Sequence, residues 1–357
     1  MTPLSIGSTI GIIGGGQLGR MLSNAAAKLG FDTSVYSPEA NSPAARVTAQ
    51  STVGAYEDLE ALRAWASDCD VITYEFENVP TRSIQALSED GMIVRPGAKS
   101  LEIAQDRVIE KRFLHACGIQ TAEFFPIESV SDLESGIKKF GGVGLLKTRR
   151  DGYDGKGQTR ISPDVSAEAG FDSLGRRPCI LEALVPFSHE ISVIVARSAN
   201  GAHRTFDVPR NEHVDGILKR STVPSGLDPV SEAYATDAAI KLADALEHVG
   251  VLALECFVLE DGTVVANEFA PRVHNSGHWT VEACRSSQFT QHILAVAGWP
   301  LAPNHLLEEA EMVNLIGSDV DDLERLVPDA ATLTLYGKRA ARPGRKMGHW
   351  VKLGALP

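Results

Sequence analysis

The stretch STIGIIGGGQLGRMLSNAAAKLGFDTSVYS, residues 8–37, decides the fold of the first part of the chain. A β-branched run leads into a glycine turn, GGGQLG at residues 14–19. An alanine-rich run then ends at Gly30, before a second β-branched run. This order predicts strand, turn, helix and strand. Similar alternation continues through EDLEALRAWASDC, DVITYEF, TRSIQALSEDG and MIVRP. We therefore expect a parallel, right-handed α/β sheet over about the first 100 residues.

The glycine turn also matches the G-x-G-x-x-G dinucleotide fingerprint at Gly14, Gly16 and Gly19. That fingerprint needs an acidic residue at the end of the second strand, to hold the adenine ribose. Here the strand ends in YSP, residues 36–38, and Glu39 lies beyond the proline. An NAD(P)-dependent dehydrogenase stays as an alternative. The other interpretation is a sharp turn beneath a different phosphorylated ligand.

Composition narrows the class of protein. The 357 residues imply two or three domains, and the formal net charge of −12 argues against a general binder of nucleic acid or anionic membranes. The five cysteines contain no C-x-x-C and lie at least 28 residues apart, which predicts buried free thiols in a reducing cytoplasm. The N-terminus has no basic region typical of a signal peptide, and the longest apolar stretches are too short to span a membrane.

After residue 100 the pattern changes to α+β. QDRVIEKRFLHACG predicts an amphipathic helix, and TAEFFPI, GVGLLKT and QTRIS predict strands around the charged loop RRDGYDGKG. From residue 180 the runs CILEALV, HEISVIVAR, HRTFDVPRN and ILKRSTV predict longer antiparallel strands. A helix over 229–248 precedes a hairpin with its turn at Asp261-Gly262. TVEACRSSQFTQHILAVAG then predicts a helix, and TLTLYGK one strand before a basic tail.

Two acidic residues flank this hairpin. Glu255 and Glu268, with Asn267 beside the second, can share one face of adjacent strands. Carboxylate and amide oxygens suit one or two Mg²⁺ ions that bridge nucleotide phosphates. The alternative is an exposed sheet face with ordinary acids. Apolar neighbours in VLALECF disfavour it, because an unpaired buried carboxylate is costly.

Cationic and polar groups cluster in three further places. Lys147 closes a buried-type strand before the glycine loop at residues 151–157, which suits phosphate binding and a closing lid, although Asp-Gly pairs also make plain hairpin turns. Residues 337–346 hold five cations and no acid, which predicts a folded phosphate clamp rather than a solvated tail. A run of polar residues follows the hairpin and consists of Arg272, His274, Asn275, Ser276 and His278. This run suits hydrogen bonding to a substrate better than a zinc site in which Cys284 would be a further ligand.

Several motifs occur together and in order: IGIIGGGQLGRML, ITYEFENVP, QDRVIEKRFL, LLKTRRDGYDGKGQ, ILEALVPFSHEISV, NEHVDGIL, NEFAPRVHNSGHWT and LYGKRAARPGRKMGHW. Over essentially the whole chain they resemble the N5-carboxyaminoimidazole ribonucleotide synthetase family of the ATP-grasp superfamily, in de novo purine biosynthesis. The resemblance implies a ligase that makes N5-carboxyaminoimidazole ribonucleotide, ADP and phosphate from ATP, bicarbonate and 5-aminoimidazole ribonucleotide. It also implies Mg²⁺, or Mn²⁺ in its place, and a homodimer.

The same resemblance implies an ATP-grasp fold of three domains. Residues 1–105 would form a Rossmann-like domain with a parallel sheet, and residues 106–180 a small central lid domain. Residues 181–357 would form an antiparallel C-terminal domain with a small basic subdomain.

The resemblance also implies site residues. The residues expected to bind ATP begin with Arg107, Lys147 and the lid residues Gly152, Tyr153, Asp154, Gly155, Lys156, Gly157 and Gln158. They continue with the linker that contacts adenine, Glu182, Ala183, Leu184 and Val185, and with Glu190, His213, Asn267 and Glu268. Glu255 and Glu268 would bind the metal. At the ribonucleotide we expect Gln17, Leu18, Glu75, Asn275, Lys338, Arg345 and Lys346, and the polar run adds His274 and Ser276. Tyr153, Asp154, Lys156 and Arg272 are the expected catalytic residues.

Two departures from the family pattern affect loop shape alone: Val273 replaces a frequent proline, and YSP at 36–38 replaces a frequent L-D-P. The sequence does not identify the base that accepts the amine proton. A sibling ATP-grasp ligase that uses formate or glycine on a purine precursor is the nearest alternative function, and a non-catalytic nucleotide-binding relative is a further one.

Overall fold

The computed structural model describes residues 2–152 and 155–354. Its first part is a four-stranded, wholly parallel sheet with the strand order β3-β2-β1-β4. The elements are β1 Thr9–Ile13, α1 Gln17–Lys28, β2 Asp32–Ser37, β3 Gln50–Val53, α2 Leu59–Ala66, β4 Val71–Tyr74, α3 Thr81–Glu89 and α4 Ala98–Ala104. The predicted parallel α/β sheet is confirmed.

The second part is a four-stranded antiparallel sheet in the order β5-β8-β6-β7. Its elements, with the helix that precedes it, are α5 Arg107–Ala116, β5 Phe124–Ile127, α6 Val130–Lys139, β6 Gly144–Thr148, β7 Gln158–Ile161, α7 Ala167–Ser173 and β8 Cys179–Glu182. Asp106 caps the N-terminus of α5 by accepting hydrogen bonds from the amides of Val108 and Ile109, so this helix begins at Arg107.

The third part is a nine-stranded antiparallel sheet in which β14 and β16 are edge strands. Its elements are β9 Phe187–Arg197, β10 His203–Thr205, β11 Arg210–Val214, β12 Ile217–Val223, α8 Pro229–Ala245, β13 Gly250–Leu259, β14 Val264–Ala270, α9 Thr280–Ala283, α10 Gln288–Val296, β15 Ala310–Ile316, α11 Leu323–Leu326, β16 Ala331–Leu335 and β17 Lys346–Leu353. The predicted combination of an N-terminal parallel sheet with a C-terminal antiparallel sheet is confirmed.

Four local predictions are wrong. HRTFDVPRN forms two short strands, and Pro209, which has no amide hydrogen to donate, lies between them. MIVRP makes only an isolated bridge, between Val94 and Ile72. The helix predicted from residue 280 breaks at Cys284, which is extended and pairs with Leu306. Residues 310–316 and 346–353 are central strands of the large sheet, whereas the sequence predicted TLTLYGK as the single strand of this region.

The first and third parts share one hydrophobic core. Buried residues of β1 and α1, among them Ile10 and Leu22, belong to the same cluster as Ile293 of α10 and Val251 of β13. This packing fixes the glycine turn relative to the large sheet. Among the described residues, no helix is long and apolar enough to cross a membrane.

Candidate active site

The glycine turn at residues 14–19 holds a carboxylate. Glu75 follows β4 and is buried, and its Oε1 accepts a hydrogen bond from the amide of Gly16 at 2.7 Å. A Cβ on Gly14 would lie 2.6 Å from the Glu75 side chain, so the turn needs glycine for this close approach. Burial raises the pKa of Glu75, and the Gly16 amide opposes that rise. Because an acidic side chain occupies this helix N-terminus, the geometry disagrees with the dinucleotide alternative.

The two acidic residues of the hairpin face each other. In the β13–β14 register Glu255 lies directly opposite Glu268. Glu268 Oε2 pairs with Arg107 Nη1 at 2.5 Å, and Glu255 Oε1 with His274 Nε2 at 2.9 Å. Burial would raise the pKa of Glu268, but Arg107 and Lys147 lower it to about 2, so the carboxylate is ionised at neutral pH.

A second ion-pair group joins the middle sheet to α5. Lys147 Nζ donates to Glu182 Oε2 at 2.9 Å, and Lys111 Nζ lies 3.4 Å from Glu182 Oε1. Burial opposes ionisation of Glu182, but the two lysines lower its pKa to about 2. We predicted Glu182 only as part of the adenine linker, and the structure gives its side chain these buried partners. The other linker residues, 183–185, connect β8 to β9, and Leu184 is partly exposed.

Two more predicted nucleotide residues meet on neighbouring strands. Glu190 of β9 and His213 of β11 are joined by a hydrogen bond of 2.6 Å from His213 Nδ1 to Glu190 Oε2. Burial lowers the pKa of His213, but Glu190 and Glu255 raise it by a larger amount, so the net shift is upward. A carboxylate and a ring nitrogen at this position can both bind hydroxyl groups.

The polar run after β14 lies against the metal-candidate hairpin. Arg272 pairs with Glu77 at 2.5 Å, and His274 bridges Glu255 and the Ser276 hydroxyl, which is 2.8 Å from His274 Nδ1. The side-chain amide of Asn275 is buried and has no hydrogen-bond partner among the described residues. A cavity is lined by Glu77, Arg107, Glu110, Gly152, Glu255, Glu268, Arg272 and His274, so the structure brings these groups together.

His278, the last member of the run, is buried, and its Nδ1 lies 3.2 Å from Gln288 Nε2. Cys284, considered with it for zinc, is a buried free thiol. Within residues 2–152 and 155–354, no group of three His, Cys, Asp or Glu side chains is arranged to hold a metal.

The central glycine loop is fixed at its two ends. Gly152 O accepts from Arg107 Nη2 at 3.1 Å, and Gly157 O accepts from the Thr148 amide at 2.8 Å. A Cβ on Gly155 would lie 3.1 Å from the carbonyl oxygen of Asp215, so the loop also approaches the β11–β12 turn. Lys156 belongs to this loop and Gln158 begins β7. Tyr153 and Asp154 lie outside the described residues.

A basic pocket forms between the loop after β2 and the segment before β17. Its lining includes Ser42, Arg46, Lys338, Arg342 and Arg345. Lys338 Nζ donates to the carbonyl oxygen of Lys346 at 2.7 Å, and Arg345 Nη1 to that of Ala340 at 3.0 Å. The predicted basic segment is therefore folded. Gln17 and Leu18, also predicted at the ribonucleotide, open α1 beside the glycine turn.

Two site residues on α5 were missed. Glu110 and Lys111 are buried beside Glu268 and Glu182, and burial with the Glu268 charge raises the pKa of Glu110 to about 8. The available signal was their position three and four residues after Arg107, which puts all three side chains on one helix face.

Three family models match successive parts of the chain. They describe a ribonucleotide synthetase preATP-grasp domain at residues 7–105, an ATP-grasp domain at 112–289 and a phosphoribosylaminoimidazole carboxylase C-terminal domain at 310–355.

Similar proteins span the whole chain. The N5-carboxyaminoimidazole ribonucleotide synthase of Brucella melitensis is 49% identical over 99% of this chain and 98% of its own length. The structure of N5-carboxyaminoimidazole synthetase from Staphylococcus aureus complexed with ADP is 36% identical, with a TM-score of 0.95 over 100% of this chain and 95% of that one. The Aspergillus clavatus synthase in complex with ADP and 5-aminoimidazole ribonucleotide is 29% identical, with a TM-score of 0.90 over 98% and 94%.

Proposed function

The chain belongs to the N5-carboxyaminoimidazole ribonucleotide synthase family of ATP-grasp ligases, and from this premise we infer its reaction. It carboxylates 5-aminoimidazole ribonucleotide to N5-carboxyaminoimidazole ribonucleotide at the expense of ATP, a step of purine biosynthesis. The observation that carries this conclusion is the match over the full chain length to synthases of one activity, combined with a cavity that joins the predicted ATP and ribonucleotide residues.

ATP lies, in our proposal, between the middle and the large sheets. Arg107 and Lys147 face its phosphates, and Glu190 with His213 holds the ribose. Both cations are anchored by carboxylates, Glu268 and Glu182, so they are oriented before the nucleotide arrives. Preorganised charge of this kind is the main contribution that a protein makes to phosphoryl transfer.

Glu255 and Glu268 fit a magnesium site. Their carboxylates face each other, and the Glu268 charge opposes ionisation of Glu255, a repulsion that a cation relieves. In this structure Glu255 pairs with His274 and Glu268 with Arg107. Oxygen ligands suit Mg²⁺, and Mn²⁺ accepts the same set. Bound there with phosphate oxygens and water, the ion would neutralise charge on the transferred phosphate.

The ribonucleotide lies, in our proposal, between the glycine turn and the basic pocket. Glu75, Gln17 and Leu18 face its ribose end, and Lys338, Arg345 and Lys346 bind the 5′-phosphate. Asn275, His274 and Ser276 face the imidazole. The Asn275 amide is buried and has no hydrogen-bond partner within the described part of the chain. This supports a ligand at this position, because such a group is costly without hydrogen bonds.

We propose a two-stage reaction. A bicarbonate oxygen attacks the γ-phosphorus of ATP, the bond to the ADP oxygen breaks, and carboxyphosphate forms. Carboxyphosphate then splits into CO₂ and phosphate, and the exocyclic amine of the ribonucleotide bonds to CO₂. The released phosphate accepts the amine proton, since it forms beside the amine. Arg272 lies beside the reacting groups, and closure of the glycine loop through Tyr153, Asp154 and Lys156 keeps water from the intermediate.

Omission of single substrates tests the reaction. Purified protein should release ADP rapidly only when bicarbonate and 5-aminoimidazole ribonucleotide are both present. ADP release that does not change when the ribonucleotide is left out would overturn the assignment. Replacing bicarbonate with formate or glycine tests the sibling ligases, and we expect no product from either.

A cytoplasmic location and a homodimer complete the proposal. The cysteines Cys69, Cys117, Cys179, Cys256 and Cys284 are free, which is typical of a reducing compartment. Light scattering coupled to gel filtration tests the dimer. A single species with the mass of one chain would contradict it.

A further inference from the structure

The inner face of α5 carries two buried ionisable residues besides Arg107. Glu110 and Lys111 are 2% and 1% exposed, and neither belongs to the residues that the sequence predicts for the site. They follow Arg107 by three and four positions, so all three side chains point to the same side of the helix. Their partners lie on two different sheets.

The first partner is strand β14, whose outer edge has no neighbouring strand of the sheet. Buried backbone groups at such an edge need other partners. The carbonyl oxygen of Asn267 accepts from Lys111 Nζ at 3.1 Å, and the amide of Phe269 donates to Glu110 Oε1 at 2.6 Å. The two α5 residues therefore hold the backbone on both sides of Glu268, whose own side chain pairs with Arg107.

The second partner is β8. Lys111 Nζ lies 3.4 Å from one oxygen of Glu182, and the other oxygen of Glu182 accepts from Lys147 at 2.9 Å. Lys111 thus touches both the strand that carries Glu268 and the carboxylate that orients Lys147. One ammonium group thus contacts two groups that come from separate sheets.

A role in stability alone accounts poorly for this arrangement. Burying the Lys111 ammonium and the carboxyl groups of Glu110 and Glu182 is costly, and apolar residues of similar size often stabilise a protein as well or better. We propose that Lys111 and Glu110 are positioning residues, which hold Glu268 and Lys147 at the separation required by the ATP phosphates. This inference rests on the proposed function.

Lys111→Met in the full-length protein tests the proposal. We expect the Kd for ADP, measured by calorimetry with and without Mg²⁺, and the KM for ATP to rise about 10- to 100-fold, as is typical when supporting residues behind a ligand shell are lost. The KM for the ribonucleotide should stay within about twofold, because its pocket lies on other elements. Lys139→Met is the matched control. Lys139 lies on α6 and makes an exposed pair with Glu123, so its substitution should leave all three constants unchanged.

A folded Lys111→Met variant with wild-type constants for ATP and ADP would overturn the proposal, even if its Tm were lower. Glu110→Leu and Glu110→Gln provide the second test if the lysine variant does not fold. The leucine removes the acceptor for the Phe269 amide and should weaken ADP binding, whereas the amide oxygen of the glutamine restores it. Equal ADP affinity in these two variants would also overturn the proposal. Carboxylation of the ribonucleotide by the wild-type protein is measured in parallel. Absence of this activity in the wild-type protein would contradict the proposed function, independently of the variants.

Discussion

The proposed nucleotide cleft and the basic pocket both contain cations that we assign to phosphate groups, but the two regions hold these cations differently. In the cleft, Lys111 and Lys147 are buried and Arg107 is half-buried, and each of the three pairs with a carboxylate. In the pocket, Lys338 and Arg345 donate to backbone carbonyls of their own segment, and Arg46 to the carbonyl of Gly337. Each of the three cleft cations thus has a carboxylate partner.

This difference separates two tasks. A cation fixed by a buried carboxylate keeps its orientation without ligand, which suits the stabilisation of a transition state. A cation that donates to neutral carbonyls is positioned without a buried carboxylate as its hydrogen-bond acceptor, which suits ground-state binding of a phosphate. We therefore expect loss of the Glu268 carboxylate in the cleft to reduce kcat, and changes in the pocket to raise the KM for the ribonucleotide.

Glu268→Gln should produce the largest effect. It removes the charge that orients Arg107 and one of the two proposed metal ligands, so we expect kcat to fall about 10²- to 10³-fold. Steady-state kinetics at saturating substrates measures it. Glu260→Gln, at an exposed position near the hairpin turn, is the control. Full activity of the Glu268 variant would remove the metal assignment.

Arg345→Ala should act on one KM. Loss of a charge-assisted contact to phosphate predicts a rise of about 10- to 100-fold in the KM for the ribonucleotide. The Kd for ADP should not change, because the cleft cations have their own partners. Arg82→Ala on α3, which is exposed, serves as the control. An equal loss of affinity for both ligands would show that the two regions are not separate.

Acid pH should destabilise the packing between the first and third parts of the chain, which contains two buried histidines. His292 Nδ1 accepts from the Val251 amide, so its Nε2 carries the proton and donates to Thr73; His248 binds the Val251 carbonyl oxygen and Ser100. Burial lowers the pKa of His248 to about 4 and that of His292 to about 3.

Because these folded-state values lie below the unfolded value near 6.5, the unfolded chain binds more protons as the pH falls. Stability is complete above pH 6.5 and decreases below it, by about 2 kcal/mol per histidine at pH 5. Urea unfolding at pH 8 and pH 5 measures this loss. Equal unfolding free energies at the two pH values would contradict the assignment.

Salt should give the smallest effect. Raising the ionic strength from 0.05 to 0.5 M shortens the screening distance, and exposed charges weaken more than buried ones. We expect the KM for the ribonucleotide to rise a few-fold and the Kd for ADP to rise less. The reverse order would contradict the comparison.

The sequence predicted the parts of the molecule that local patterns specify. The β1–α1 turn and the facing of Glu255 and Glu268 across the β13–β14 hairpin follow from glycine spacing and alternation. Both features involve residues that are close in the sequence, and the Asp-Gly pair identifies the tight turn that joins the two strands of the hairpin.

Features that depend on residues far apart in the sequence could not be predicted from local patterns. Strands β15 and β17 lie in a strongly acidic and a basic part of the chain, and only their central positions in the sheet bury them. The Glu75 contact with Gly16 joins residues 59 positions apart, and Lys111 meets β8 and β14 only after the sheets pack. Helix periodicity could have drawn attention to Lys111, but it could not supply its partners.

Isotope transfer tests the central claim, ATP-dependent carboxylation through carboxyphosphate, most directly. The protein is given ATP, the ribonucleotide and freshly dissolved ¹⁸O-bicarbonate, and the released phosphate is analysed by mass spectrometry. The account predicts labelled oxygen in the phosphate, because the bicarbonate oxygen that attacks the γ-phosphorus stays on phosphorus when CO₂ leaves. Unlabelled phosphate, formed at the same rate as the carboxylated product, would contradict it.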